Sequence, residues 1–140
     1  MKGLFSMNKI QISTDKAPKA IGPYSQAIKT QLSDSASMVF VSGQIAIDPD
    51  SGEIVSGSAD GQIEQVIKNI EEVLKAAGSS LEDIVKNTLY LTNMDDFTSV
   101  NKVYEKYFST KPPARACVEV SVLPKNVVVE MDSIAICNSK

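Results

Sequence analysis

One amphipathic pattern, over residues 59–77, is the feature that most restricts how this chain can fold. Its apolar residues recur at helical spacing, and Gly78 follows them as a typical helix stop. A second stretch with the same period starts at Asp95 or Asp96 and ends at Ser109. The two stripes consist of Ile63, Val66, Ile67, Ile70, Val73, Leu74 and Ala77, and of Phe97, Val100, Tyr104, Tyr107 and Phe108. Two helices can cover only one face of a sheet.

The other apolar segments alternate or are short, as strands do. The predicted strands are residues 8–14, the part of 20–31 that follows a turn at Gly22-Pro23, and residues 38–47, 84–93, 115–122 and 127–136, with polar turns at 32–37, 48–54 and 124–126. This order predicts an α+β domain, in which two helices pack on one face of a mixed sheet. A chain of 140 residues suffices for one such domain. We place the domain at residues 8–140 and treat residues 1–7 as an N-terminal extension, with Met7 as an alternative start.

The uncovered face of the predicted sheet is also partly apolar. Residues 38–41 are apolar on both sides, and the last strand places Val128, Ile134 and Ile136 on the same face as Glu130 and Asp132. The simplest cover for such a face is another copy of the same chain, so we expect a homo-oligomer. The alternative is a monomer with a mildly apolar open face.

The composition excludes several kinds of chemistry. The chain has no histidine, which removes the commonest general base and metal ligand. Two cysteines without a CxxC motif favour neither a disulfide framework nor a zinc site, and they predict a reducing, cytoplasmic location. A net charge of -3 disfavours nucleic acid and anionic membranes as partners. No apolar run approaches 18 residues.

Two charged residues in strands are the main candidates for chemistry. Arg115 heads a strand behind two prolines, and its guanidinium suits a carboxylate or phosphate. Glu130 interrupts an apolar strand, where burial would raise its pKa and make it a usable base. Each also has an ordinary interpretation, as a structural ion pair or as a solvated strand residue. Because only a short turn separates their strands, we expect them to be neighbours across a hairpin.

Four further residues are weaker candidates. Asn101 falls inside the apolar stripe of the second helix, where it either brings a buried amide to a ligand or ties down a loop. Cys117 is a nucleophile or, more simply, a small buried side chain that offers its backbone N–H. Gly43 marks either a bulge or a close approach of a ligand. Tyr24 either shows its hydroxyl to a cleft or packs as an aromatic.

Five segments together resemble the RidA family, also called YjgF or the liver perchloric-acid-soluble protein (L-PSP) family. They are AIGPYSQAI (20–28), VSGQIAIDPDSGEIV (41–55), residues 69–97, VNKVYEKYF (100–108) and PPARACVEVSVLPKNVVVEMDSIAI (112–136). The resemblance spans residues 8–136. It implies a chorismate-mutase-like fold, assembled as a homotrimeric barrel with a cleft between each pair of subunits.

The resemblance also implies an activity, the hydrolysis of reactive enamines and imines such as 2-aminoacrylate and 2-iminobutanoate to 2-keto acids and ammonia. Arg115 would bind the substrate carboxylate and Glu130 would activate water. Tyr24, Ser42 and Asn101 would line the cleft, and the main chains of Gly43 and Cys117 would contact the substrate. No metal or cofactor is implied, because an imine is already electrophilic and an oriented water suffices.

Two other functions stay open at this point. Some relatives carry the label endoribonuclease or translation inhibitor, against which the pI of about 4.9 argues. A non-catalytic module that binds small carboxylates or proteins would need Arg115 but not Glu130. Two departures from the family pattern are the long polar turn at 32–37 and Ala116, which we expect to point to the helix side.

Overall fold

The computed structural model of the protein describes residues 8–55 and 57–138. In chain order the elements are β1 (Lys9–Ile12), β2 (Ala27–Gln31), β3 (Ala36–Gln44), α1 (Ala59–Ala76), β4 (Ile84–Leu91), α2 (Phe97–Tyr107), β5 (Ala114–Glu119) and β6 (Val129–Asn138). The strands form one sheet in the order β1-β2-β3-β6-β4-β5, and only the β4–β5 pair is parallel. The predicted α+β class with a mixed sheet is confirmed. The predicted extension at residues 1–7 lies outside the described residues.

Helix α1 forms where its apolar stripe predicts, and it covers one face of the sheet. Seven buried hydrophobic residues of this helix contribute to a core that β3, β4, β6 and α2 complete. The helix ends at Ala76, and Gly78, two residues later, has a φ of +79°, the left-handed conformation that glycine adopts at little cost. The Ser79 N–H then donates to the Leu74 carbonyl at 2.8 Å, which satisfies one of the last free carbonyls of the helix.

The first strands are shorter than predicted because a side chain replaces part of the ladder. Residues 13–26 form a loop around the buried amide of Gln26. Its Oε1 accepts from the Thr14 N–H at 2.7 Å, and its Nε2 donates to the Pro18 carbonyl at 2.8 Å. The polar turn is also tighter than predicted, since the Leu32 N–H donates to the Ala36 carbonyl at 2.8 Å and β3 begins at Ala36.

The second face of the sheet is partly apolar, as predicted. Phe40, Val118 and Ile136 lie on it and expose 42%, 42% and 41% of their surface. Phe40 and Ile136 lie on the side opposite the helices, because their chain neighbours Val39, Val41 and Ala135 are buried in the core. Val118 lies on the same side, because it pairs with Tyr90, whose chain neighbours Leu89 and Leu91 are core residues. The homo-oligomer that this face led us to expect remains a prediction.

Candidate active site

The order of the strands separates the two main candidates. Strand β4 lies between β5 and β6, so Arg115 and Glu130 are not neighbours across a hairpin, and that prediction is wrong. Arg115 pairs with Asn87 and Glu130 pairs with Tyr90. Positions 87 and 90 differ by an odd number of residues, so these pairs point to opposite faces of the sheet. Arg115 lies on the helix face and Glu130 on the open face.

The same register corrects the prediction for Ala116. This residue pairs with Thr88, between the core residues Asn87 and Leu89, so it faces the open side of the sheet and not the helices. The position of β5 in the sheet explains both this error and the wrong prediction that Arg115 and Glu130 are neighbours. Strand β5 joins the sheet in parallel beside β4 after the α2 crossover, and the chain must then pass β4 again to reach β6.

Arg115 is half-buried against helix α2. Its Nη1 donates to Asn101 Oδ1 at 2.8 Å, and its Cζ lies 4.7 Å from the ring centroid of Tyr104 and 5.5 Å from that of Phe97. One hydrogen bond and two aromatic rings therefore hold the guanidinium in place. We call Arg115, Asn101, Tyr104 and Phe97 the arginine cluster. Its open side is a shallow cleft that Pro112 and Pro113 also line.

A buried polar chain, not predicted from the sequence as part of the site, lies beneath the arginine cluster. Ser133 Oγ donates to Asn87 Oδ1 at 2.5 Å, and Asn87 Nδ2 donates to the Tyr104 hydroxyl at 2.9 Å. Asn87 is fully buried, with 0% of its surface exposed. A signal was present, because in IVKNTLYL this amide stands where the alternation requires a core residue, in line with Leu89 and Leu91.

Glu130 lies against the bulge of β3. The register shifts between Val41 and Gln44, and a methyl group built on Gly43 would overlap the Glu130 carboxylate. Gly43 thus lies in a bulge, one of the two alternatives that the sequence left open, and the close approach of a ligand to its backbone stays a prediction. The carboxylate occupies the space that a side chain at position 43 would fill.

Tyr24 and Ser42 complete this second group of residues. The Ser42 hydroxyl donates to the Ser25 carbonyl at 2.6 Å, and the Tyr24 hydroxyl accepts from the Ile21 N–H at 3.2 Å. Together with Gly43 and Glu130 they line a cavity of about 320 Å³, whose wall also contains Ile21, Ile45, Ile47 and Pro124. We call Tyr24, Ser42, Gly43 and Glu130 the carboxylate cluster.

Burial raises the pKa of both Glu130 and Cys117, with different consequences for their chemistry. Burial, and secondly the negative charge of Asp132, raise the pKa of Glu130 above its ordinary value. Burial also raises the pKa of Cys117, although Arg115 opposes the shift. Glu130 therefore holds a proton more readily than an exposed glutamate does, whereas the thiol of Cys117 stays protonated and is a poor nucleophile.

The candidate residues thus form two groups that one chain does not bring together. The arginine cluster lies on the helix face, with Cys117 on the same side of β5, and Glu130 of the carboxylate cluster lies on the open face. Within residues 8–55 and 57–138, no three metal-ligating side chains come together. No helix in the described part of the chain has the length and apolarity needed to cross a membrane.

Comparisons with known proteins agree with this architecture. The family model described as Endoribonuclease L-PSP matches residues 14–137. A RutC family protein of Pyrococcus abyssi is 53% identical over 129 residues, which cover 92% of this chain and 98% of the relative. The human 2-iminobutanoate/2-iminopropanoate deaminase is 45% identical over 125 residues, covering 89% of this chain and 88% of the relative.

A solved structure gives the same result for the fold. The crystal structure of RidA from the Antarctic bacterium Psychrobacter superposes with a TM-score of 0.82 at 44% identity, covering 90% of this chain and 98% of that one. The sequence relatives and the superposition extend over nearly the whole described chain. This protein therefore belongs to the RidA family, also called YjgF or L-PSP.

Proposed function

We propose that this protein is a hydrolase that deaminates reactive 2-imino acids, such as 2-iminobutanoate and the enamine 2-aminoacrylate, to 2-keto acids and ammonia. The observation that carries the proposal is the half-buried guanidinium of Arg115, held by Asn101 and Tyr104. Asn101 takes one of its five N–H donors, and the others are suited to a small carboxylate. The activity named for the human relative supports the same substrate class.

The reaction needs one water and one base. An enamine such as 2-aminoacrylate first takes up a proton on its β-carbon and becomes the imine. Water then adds across the C=N bond, its oxygen becomes the keto oxygen, and its protons pass to the nitrogen, which leaves as ammonia. Glu130 takes the proton of the attacking water, a task for which its raised pKa makes it a better acceptor than an ordinary glutamate. General-base help of this kind contributes about 10²–10⁴-fold in rate. Neither a metal nor a cofactor takes part in these steps.

The complete site would lie between subunits of a homotrimer. Because the arginine and carboxylate clusters face opposite sides of one sheet, the substrate would bridge the arginine cluster of one copy and the carboxylate cluster of the next. A closed ring of three copies would also cover the apolar surface around Phe40 and Ile136. This arrangement is the one that the resemblance to RidA implies.

The test uses an imine that is generated in the assay mixture. Threonine dehydratase generates 2-iminobutanoate, and the release of 2-ketobutyrate is followed with wild type, Arg115→Ala and Glu130→Gln. We expect acceleration by the wild type and its loss in both variants, with Lys125→Ala as an exposed control. No acceleration by the wild type would refute the proposal. If wild type bound 2-ketobutyrate without accelerating the reaction, the protein would be a carboxylate-binding module instead.

A further inference from the structure

The polar chain that joins the sheet to the arginine cluster is unusual for its burial. Ser133, Asn87 and Tyr104 expose 2%, 0% and 6% of their surface, and they come from β6, β4 and α2. An amide in such a place needs partners, and both ends of the Asn87 side chain have one. Apolar residues would fill this part of the core at a lower desolvation cost. Stability alone therefore does not explain why polar residues occupy these three buried positions.

The hydrogen bonds from Ser133 to Asn87 and from Asn87 to Tyr104 fix the position of the Tyr104 ring. The Asn87 amide is anchored on the rigid β4 ladder and holds the Tyr104 hydroxyl at 2.9 Å, so the ring cannot slide along the sheet. The Arg115 Cζ lies 4.7 Å from the centroid of that ring. Asn101, three residues before Tyr104 on the same helix, holds the guanidinium edge at 2.8 Å. The helix thus supplies both contacts, and Asn87 ties the helix to the sheet.

We propose that Asn87 is a positioning residue that acts through Tyr104 to fix the Arg115 guanidinium for a substrate carboxylate. The inference rests on the proposed function for the identity of that carboxylate, but not for the geometry. A fixed fork loses less freedom when it forms two parallel hydrogen bonds, so binding is tighter. The carboxylate is present in ground state and transition state alike, so the effect belongs mainly to KM and not to kcat.

The guanidinium can be observed directly, because Arg115 is the only arginine in the chain. Its Nε–Hε group gives a single side-chain NMR signal of this type, and relaxation of that signal reports the rigidity of the guanidinium. We expect a high order parameter in wild type and a fall toward the mobile range, below about 0.6, in Tyr104→Phe and Asn87→Leu. The matched control is Tyr107→Phe on the same helix α2, which removes a hydroxyl that donates to Glu64 of α1 and not to the arginine cluster.

Kinetics supply the second measurement. We expect KM for 2-iminobutanoate to rise about three- to tenfold in Tyr104→Phe, as loss of one hydrogen bond of ordinary strength predicts, with little change in kcat. Tyr107→Phe should change neither. Should Asn87→Leu fail to fold, the double variant Asn87→Leu/Tyr104→Phe, made in a Ser133→Ala background, replaces all three polar partners by apolar groups.

The two measurements separate the two proposals. If the order parameter of Arg115 stays at the wild-type value in Tyr104→Phe and in the double variant, the positioning role is wrong, whatever the activity. If wild type shows no imine hydrolysis, the proposed function fails, and the order parameter still decides the role of Asn87. A fall in the order parameter with an unchanged KM would also overturn the inference, because rigidity would then not serve binding.

Discussion

Complementation between two inactive variants gives the most direct test of a shared site. Arg115→Ala keeps an intact carboxylate cluster and Glu130→Gln keeps an intact arginine cluster, since the two clusters occupy opposite faces of the sheet. Each variant alone lacks one half at every site. When the two are expressed together with different tags, the proposed homotrimer predicts that assemblies with both tags contain two copies of one variant and one of the other.

The expected activity follows from counting interfaces. Around a ring of three head-to-tail subunits, a mixed trimer has a single interface at which a Glu130→Gln copy supplies the arginine and an Arg115→Ala copy supplies the glutamate. Doubly tagged trimers should therefore recover about one third of the wild-type kcat per trimer. A two-fold symmetric dimer would recover about half, so the value also reports the assembly. The Glu130→Gln parent should lie about 10²–10⁴-fold below wild type, because general-base help is lost. The Arg115→Ala parent should lose activity because it binds the substrate carboxylate weakly.

The assay is release of 2-ketobutyrate from 2-iminobutanoate, with the mass of the tagged species checked by sedimentation. Singly tagged parents purified in parallel are the control for carry-over of wild-type enzyme. Activity in the mixed species no higher than in the parents would refute the shared site, because it would mean that both groups act within one chain or that one of them is not needed.

Four further outcomes are expected. Gly43→Ala should lower kcat, because the added methyl overlaps the Glu130 carboxylate and forces this end of the glutamate side chain to move; an unchanged kcat would contradict the close approach. The raised pKa of Glu130 predicts that kcat/KM falls as pH drops through that pKa, which lies above the ordinary glutamate value. The raised pKa also predicts that Glu130→Gln is more stable than wild type above the folded-state pKa, because ionised Glu130 destabilises the folded state. Below the unfolded-state pKa the variant should have no such advantage. Identical unfolding curves for the two proteins at both acidic and neutral pH would disprove this prediction. Phe40→Asp should dissociate the oligomer in sedimentation and abolish activity, because it puts a charge on the open apolar face; an active assembly of unchanged mass would place the interface elsewhere.

The sequence predicted the helices and the strands well because their patterns are local. The stripe of α1 runs over Ala59–Ala76 almost as expected, and the alternation of β6 correctly puts Glu130 opposite the core residues Val129 and Met131. Each of these features depends only on which residues lie next to one another in the chain. The hydrogen bonds of the Gln26 amide were not predicted, because its partners lie 8 to 12 residues away in the chain.

Strand order escaped prediction for a related reason. Whether β5 pairs with β6 or with β4 depends on where the α2 crossover returns the chain, and no short pattern encodes that choice. The wrong choice put Arg115 and Glu130 side by side. The network of Asn87 was missed because a single polar residue in a strand does not reveal its partners on β6 and α2. The candidate residues were thus identified one by one, but their grouping required the fold.

The division of the two clusters between opposite faces has a consequence for regulation by abundance. If both clusters are required, a newly made subunit is inactive until it assembles with other copies. Dilution below the dissociation constant of the assembly then inactivates the protein without any inhibitor. Turnover per chain would then climb steeply with expression level at low copy number and flatten once assembly is complete.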